Sequence, residues 1–239
     1  MIEANKTAVY TKFARIRAKY TLSWYLDKVL VQFPDAELDT GLPVLMVINH
    51  PNWLDIELSL FLVEDLLGLD YYMMGNMNIL EKRPFMRKYG VFGVKEDDPF
   101  AVGRALKYTA TLLHGHADRC AVIFPQGDMI RSTERPIHIK PGAAQIARLV
   151  KQVTILPVAI HYDHFRTKLP EAFIRIGEPL NFREGLPPTR ILTETIRQRM
   201  EQELDMMQSD VYALKVNDHA NKYKYDIVIK RFIKQLLHK

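Results

Sequence analysis

Short apolar runs alternate along this chain with longer stretches of helical periodicity, and this alternation constrains the fold more than any other feature. Short apolar runs bounded by turn residues predict strands, and apolar residues spaced three or four apart predict helices. We predict strands at 44–48, 71–74, 91–94, 120–124, 153–160 and 173–176, and helices at 54–67, 99–113, 143–151 and 189–207. Such an order favours an α/β fold with a mixed, largely parallel sheet flanked by helices.

The length and composition narrow the class of protein further. The chain has 239 residues, which suits one ordinary α/β domain. A single cysteine, Cys120, excludes a disulfide framework and a cysteine-based zinc ribbon. No apolar run approaches the ~20 residues of a spanning helix, and the N-terminus lacks the pattern of a secretory signal. We therefore expect a cytoplasmic protein.

The charge divides the chain into three parts. Residues 1–33 carry six basic and two acidic side chains, and residues 215–239 carry seven basic and two acidic ones. The body, residues 34–214, carries 20 basic and 24 acidic side chains. We therefore predict a basic amphipathic helical segment over 1–33, an α/β domain over 34–214, and a basic C-terminal amphipathic helix over 215–239. Basic ends on an acidic body indicate an anionic partner.

The N-terminal segment has the composition of a helix that lies at a membrane surface. Large apolar residues recur at helical spacing, with basic residues largely between them: Val9, Phe13, Ile16, Tyr20 and Trp24. The pattern predicts contact with anionic lipids on the inner face of the membrane, and the alternative is a helix packed on its own domain. For the C-terminal stretch 225–237, core packing and membrane binding remain equal alternatives. We expect no nucleic acid partner, because no nucleic-acid-binding signature is present.

A histidine and an aspartate follow the first predicted strand at a spacing that suits general base catalysis. The stretch is Asn49-His50-Pro51-Asn52-Trp53-Leu54-Asp55. With His50 in the loop and Asp55 in the first turn of the next helix, the carboxylate can orient the imidazole and stabilise its cation. The other ring nitrogen can then accept a substrate proton.

A second group of polar residues follows the fourth predicted strand. The stretch is Phe124-Pro125-Gln126-Gly127-Asp128, with Arg131 just beyond. A glycine-containing turn after a strand offers backbone N–H groups to an anion. Active sites in such sheets lie at the carboxyl ends of the strands, so both groups are expected at one edge.

Together these residues resemble the glycerolipid acyltransferases typified by bacterial 1-acylglycerol-3-phosphate acyltransferase. Asn49, His50 and Asp55 match the family block Asn-His-x4-Asp, and Phe124, Pro125 and Gly127 match the block Phe-Pro-Glu-Gly-Thr-Arg-Ser. Two shorter blocks also match: Lys-x-Gly-Ala at Lys140, Gly142 and Ala143, and Pro-Val at Pro157 and Val158. The resemblance covers about residues 43–180. It implies transfer of an acyl group from acyl-CoA or acyl carrier protein to a lipid hydroxyl, with His50 as base, Asp55 as orienting acid and no cofactor.

Several positions depart from the family pattern. The arginine that holds the acceptor phosphate in the family is replaced by Met129, and the nearest arginine, Arg131, comes two residues later. A second arginine that binds the phosphate in the family is absent, and only Lys95 lies near its position. Gln126 removes a carboxylate and Asp128 adds one. The resemblance therefore leaves two acceptor classes, a lysophospholipid and a neutral glycolipid-like lipid.

The predicted substrate-binding residues are Asn49, Lys95, Phe124, Pro125, Gln126, Gly127, Asp128 and Arg131. Among them, Asn49 and Gly127 are expected to form the framework of the site, and Lys95, Gln126, Asp128 and Arg131 to contact the acceptor. No metal is expected, because the histidine pair His161 and His164 has no further ligands in view. Two other functions use the same residues. One is a hydrolase in which the dyad activates water on a thioester, and the other is a non-catalytic lipid-binding relative.

Overall fold

The computed structural model describes residues 1–164, 168–213 and 225–227. The helices are α1 (Ala8–Tyr25), α2 (Asp55–Leu60), α3 (Met77–Lys82), α4 (Pro99–Leu113), α5 (Gly142–Val150) and α6 (Thr189–Tyr212). Phe61–Leu66 continues α2 as π-helix, and Pro84–Tyr89 is a 3-10 helix. The strands are β1 (Lys28–Gln32), β2 (Val44–Ile48), β3 (Asp70–Asn76), β4 (Val91–Val94), β5 (Arg119–Ile123), β6 (Val153–Asp163), β7 (Glu171–Ile176), β8 (Leu180–Phe182) and β9 (Tyr225–Ile227).

The strands form one mixed, largely parallel sheet, so the predicted α/β fold is confirmed. Its order is β4-β3-β5-β2-β6-β7-β1-β9, and β8 pairs with β6 off this path. The five strands from β4 to β6 run parallel, whereas β7 runs antiparallel to β6. The parallel part places the ends of β2, β4 and β5 at one edge, and the predicted site residues follow those ends.

Helices cover both faces of the sheet and create two apolar layers. Along β2, Val44, Met46 and Ile48 face the layer that contains α1 and α2, while Leu45 and Val47 face α4, α5 and α6. Because both faces are covered, β2 is buried along its whole length, as its continuous apolar sequence requires.

Two predictions about the chain ends are wrong in part. The predicted helical segment over 1–33 ends as a helix at Tyr25, and Lys28–Gln32 forms β1, parallel to β7. Val29 and Val31 are fully buried there, which explains the strand. In the predicted C-terminal helix, Tyr225–Ile227 instead pairs antiparallel with β1 and covers its open edge. The rest of residues 215–239 lies outside the described residues.

Three basic side chains of helix α1, and Lys6 just before it, pair with acids of the domain. The helix packs through small residues such as Ala14 and Ala18, and the cations around this face pair with carboxylates of α2, the π-helical turn and β3. The pairs are Lys6 with Glu64 and Asp70, Arg15 and Lys19 with Asp65, and Arg17 with Glu57. Asp65 and Glu57 are largely buried, so these cations neutralise acids that would otherwise be costly to bury. The basic N-terminus and the acidic body are thus partly complementary to each other.

The opposite side of α1 is an exposed apolar ridge. Its members are Val9, Phe13, Ile16, Tyr20 and Trp24, and each is at least half exposed. Within the described residues no helix is both long and apolar enough to cross a bilayer.

Candidate active site

The structure brings His50 and Asp55 together as the spacing predicts. His50 lies in the loop after β2, and Asp55 begins α2. Nδ1 of His50 is 2.7 Å from Oδ2 of Asp55. No contact among the described residues occupies the other ring nitrogen, Nε2, and the imidazole is partly exposed. This arrangement gives a base whose tautomer is fixed on one side and whose lone pair is available on the other.

Asp55 is fully buried and is held by three hydrogen bonds. Besides His50, the backbone N–H of Asn52 donates to Oδ2 at 2.9 Å, and the hydroxyl of Tyr162 donates to Oδ1 at 2.5 Å. Burial raises the pKa of the Asp55 carboxyl, and the hydrogen bonds from His50, Tyr162 and Asn52 oppose that rise. The carboxylate thus depends on its donors to remain charged in this environment.

The loop after β5 fixes the position of His50 from the other side. The ring of Phe124 stacks on the imidazole, with centroids 4.2 Å apart. The buried side chain of Gln126 accepts a hydrogen bond from the backbone N–H of His50 at 3.2 Å through Oε1. The backbone N–H of Ile130 donates to the carbonyl of His50 at 2.9 Å. Phe124 and Gln126, predicted as substrate contacts, therefore lie against the base itself.

Asn49 joins the end of β2 to β6. It is 1% exposed, its amide nitrogen donates to the carbonyl of Ile160 at 2.9 Å, and its amide oxygen accepts the N–H of Ile160 at 2.7 Å. This reciprocal pair holds the residue before His50 in place. The structure thus gives Asn49 a position in the framework of the site.

Gly127 forms the tight turn that Lys140 covers. Its φ is +84°, and a Cβ there would collide with the Lys140 side chain. The N–H of Gly127 donates to the carbonyl of Phe124 at 3.0 Å, so that donor is already used within the turn. The carbonyl of Pro125 accepts the N–H of Lys140 at 2.7 Å. The ammonium of Lys140 lies 2.9 Å from a carboxylate oxygen of Glu96, which follows β4.

The three remaining predicted contacts are surface residues around this turn. Lys95, Asp128 and Arg131 are exposed, and no contact in the described residues joins any of them to the dyad. The ammonium of Lys95 is 3.8 Å from the carboxylate of Asp97. The structure therefore does not place these three side chains at the dyad.

Tyr162, Glu96 and the site position of Lys140 were missed by sequence reasoning. Tyr162 lies 107 positions from Asp55, and no motif spacing indicates that contact. The contact arises because β6 runs beside β2, which brings the end of β6 to the dyad.

Two other chemistries find no support in the described residues. No group of three His, Cys, Asp or Glu side chains in that part of the chain could hold a metal ion. Cys120 is buried in β5, and burial raises the pKa of its thiol well above the usual range, which makes it a poor nucleophile.

The sequence and the fold are both similar to those of known proteins. The model of the Acyltransferase family matches residues 30–161, which include both loops of the site. No curated protein gives a significant match. The fold is similar to the crystal structure of the 1-acyl-sn-glycerophosphate (LPA) acyltransferase, PlsC, from Thermotoga maritima, with a TM-score of 0.60 and 17% identity. That similarity covers 83% of this chain and 80% of the other.

Proposed function

Because the chain belongs to the acyltransferase family, we propose that it transfers a fatty acyl group from acyl-CoA or acyl carrier protein to the hydroxyl of a lipid. The observation that supports this most is the dyad at the edge of the sheet. One nitrogen of His50 is bound to a buried carboxylate at 2.7 Å, and the other is free to accept a proton.

The chemistry follows from that arrangement. The acceptor hydroxyl gives its proton to Nε2 of His50 as its oxygen attacks the thioester carbonyl. The new C–O bond forms and the C–S bond breaks. The leaving thiolate then takes the proton back from the imidazolium, so the products are an ester and a free thiol. Asp55 stabilises the transient imidazolium, and a positioned base of this kind supplies about 10²–10⁴ in rate.

The transfer is direct, without an acyl-enzyme. The sequence contains no nucleophile-elbow motif, and Cys120 is buried in the sheet with a raised pKa. The base therefore acts on the acceptor hydroxyl itself.

The protein binds the membrane surface through the apolar ridge of α1. Phe13 and Trp24 are each 62% exposed. At the end of the ridge, the ring of Tyr25 packs edge-on against Trp53, 4.9 Å between centroids, and Trp53 lies in the loop between His50 and Asp55. The ridge is thus continuous with the catalytic loop, and this continuity suits a substrate that enters from a lipid surface. Attachment is peripheral, and we place it on the cytoplasmic face.

Between the two acceptor classes, a neutral hydroxylated head group is favoured over a phosphate. The ammonium of Lys140 beside Gly127 pairs with Glu96, and Lys95 has Asp97 as its neighbour. A further carboxylate, Asp128, is exposed after β5, whereas that of Asp98 caps α4. A phosphate would have to compete with Glu96 and Asp97 for the two lysines, whereas sugar or glycerol hydroxyls can donate to the carboxylates.

An acceptor panel tests the activity. Thiol release from palmitoyl-CoA or palmitoyl-acyl carrier protein is followed with lysophosphatidic acid, other lysophospholipids, and glycosylated lipids, and the acylated product is identified by mass spectrometry. Acyl transfer predicts release that depends on the acceptor. Release at full rate without an acceptor would instead identify a thioester hydrolase, and lipid binding without turnover from either donor would identify a binding protein.

A single substitution tests the acceptor class. Glu96→Gln releases Lys140 from its carboxylate, so use of lysophosphatidic acid relative to a glycosylated lipid is expected to rise several-fold. The matched control, Glu194→Gln, removes an exposed carboxylate from an ion pair on α6, far along the chain. An unchanged acceptor ratio in Glu96→Gln, or a wild type that prefers lysophosphatidic acid, contradicts the neutral-acceptor assignment.

A further inference from the structure

Tyr162 occupies the second oxygen of the catalytic carboxylate. It lies near the end of β6, and its hydroxyl donates to Oδ1 of Asp55 at 2.5 Å while His50 occupies Oδ2. Burial and the adjacent Asp55 raise the pKa of Tyr162 well above its usual value, so the hydroxyl keeps its proton and acts as the donor. Asp55 therefore has a donor on each oxygen.

The carboxylate needs this donor most when His50 is neutral. In that state the dyad carries one net negative charge on a fully buried carboxylate. When the imidazole is protonated, the dyad is neutral overall and burial costs less. A hydrogen bond from Tyr162 stabilises the charged form more than the neutral one, so it favours the state in which Nε2 can accept a proton.

Strand β6 also holds this tyrosine rigidly. Two residues earlier, Ile160 forms the reciprocal hydrogen bonds with Asn49. Strand β6 therefore contacts both ends of the loop 49–55, through Ile160 at Asn49 and through Tyr162 at Asp55. Tyr162 is paired across the sheet with Ala172 of β7. The donor is thus set by the sheet rather than by a mobile loop.

Other ionisable groups on the surrounding elements either have partners of their own or are exposed. Glu57 pairs with Arg17 of α1, His161 bonds to Ser132, Asp163 bonds to the N–H of His164, and Asp128 and Arg131 are exposed on the loop after β5. Within the described residues, the groups that act on the charge of Asp55 are its three hydrogen-bond donors. Tyr162 is therefore the side chain through which β6 can set the protonation of the dyad.

We infer that Tyr162 is a positioning residue whose hydrogen bond to Asp55 stabilises the charged carboxylate and thereby favours the dyad with a proton-accepting Nε2. The inference rests on the proposed function for its catalytic meaning, but the protonation itself can be measured without turnover.

The test is an NMR titration of the ring nitrogens in the full chain labelled with ¹⁵N-histidine. The chain has eight histidines, and His50→Gln assigns the relevant signals. In Tyr162→Phe the titration midpoint of the dyad, observed at His50, should rise by about one pH unit. The matched control is Tyr71→Phe, which removes another buried tyrosine hydroxyl, one bonded to Ser59 away from the dyad. That control should leave the midpoint unchanged.

A second readout uses the pH profile of kcat/KM in the acyl transfer assay. Tyr162→Phe should move the acid limb to higher pH, so that activity well below the wild-type midpoint falls about tenfold while activity on the alkaline plateau stays within a few-fold of wild type. A purely structural role would instead lower the plateau without moving the limb. An unchanged or lower midpoint in the NMR titration, or an equal rise in Tyr71→Phe, overturns the inference. Absence of turnover with a raised midpoint would contradict the proposed function and leave the role of Tyr162 supported.

Discussion

The imidazole of His50 lies on the ring of Phe124, with ring centroids 4.2 Å apart and planes inclined by 18°. The two residues follow β2 and β5, which are neighbours in the sheet. With Nδ1 bound to Asp55 and one ring face covered by Phe124, the imidazole has its plane and direction fixed. The free nitrogen is therefore aimed before a substrate arrives, which is the condition for efficient general base catalysis.

Replacing Phe124 tests this stacking. Phe124→Leu keeps an apolar side chain but removes the flat surface, and aromatic pairs are worth about 0.5–1.5 kcal/mol. We expect kcat to fall about two- to tenfold with little change in Tm. Phe92→Leu is the matched control, because the ring of Phe92 packs on Tyr108 and not on His50. Equal losses of kcat in the two variants would contradict the stacking role.

The side chain of Gln126 accepts a hydrogen bond from the backbone of His50. Two substitutions should separate the effect of losing this acceptor from the effect of adding a charge. Gln126→Ala leaves the N–H of His50 without its acceptor, and an unsatisfied buried group costs about 1–3 kcal/mol. Activity should fall about tenfold or more. Gln126→Glu keeps an acceptor oxygen in the same place, so its activity should stay within a few-fold of wild type. Equal activity of the Ala and Glu variants would remove this role from Gln126.

Membrane binding should depend on the apolar ridge of α1. Phe13→Ser combined with Trp24→Ser removes two side chains that are each 62% exposed. Burial of such a side chain contributes about 1.5–3 kcal/mol, so partitioning onto phosphatidylcholine vesicles should fall at least tenfold. Ile191→Ser, which removes an exposed apolar residue from α6, should bind like wild type. Unchanged cosedimentation of the double variant with the vesicles would contradict the membrane face.

Acid should destabilise the fold through His161. This residue is buried against Ser132, and burial lowers the pKa of its imidazole. The unfolded chain therefore binds a proton at higher pH than the folded one, so stability is lost as pH falls below about 6.5. His161→Gln should make the drop in Tm between pH 7.5 and pH 5.5 smaller by about 2–4 °C. The control His116→Gln changes an exposed histidine. If Tm falls between pH 7.5 and pH 5.5 by as much in His161→Gln as in this control, the assignment to His161 is wrong.

Local patterns were sufficient to predict the central sheet and the dyad. The apolar run Val44–Ile48 is long enough for a buried strand but too short for a helix. The five-residue spacing between His50 and Asp55 fits a loop followed by the first turn of a helix. Strand β1 was missed because Lys28–Gln32 follows α1 closely and continues its mixture of basic and apolar residues.

Contacts between distant parts of the chain could not be predicted from spacing. The apolar face of α1 was visible in the sequence, but the partner of its basic side chains, Asp65, lies 46–50 positions away in a π-helical turn. The same holds for Tyr162 on Asp55 and for Glu96 on Lys140, which the sheet order alone brings together. A single sequence carries no signal for such pairs.

The most direct test of the central claim is thiol release from palmitoyl-CoA, or from palmitoyl-acyl carrier protein, by wild type, His50→Ala and His114→Ala. Each is measured with the best acceptor of the panel. His114 is an exposed histidine at the end of α4 and serves as the control. General base catalysis by the dyad predicts acceptor-dependent release that falls about 10²–10⁴-fold in His50→Ala and is unchanged in His114→Ala. Equal acceptor-dependent release in wild type and His50→Ala would contradict it.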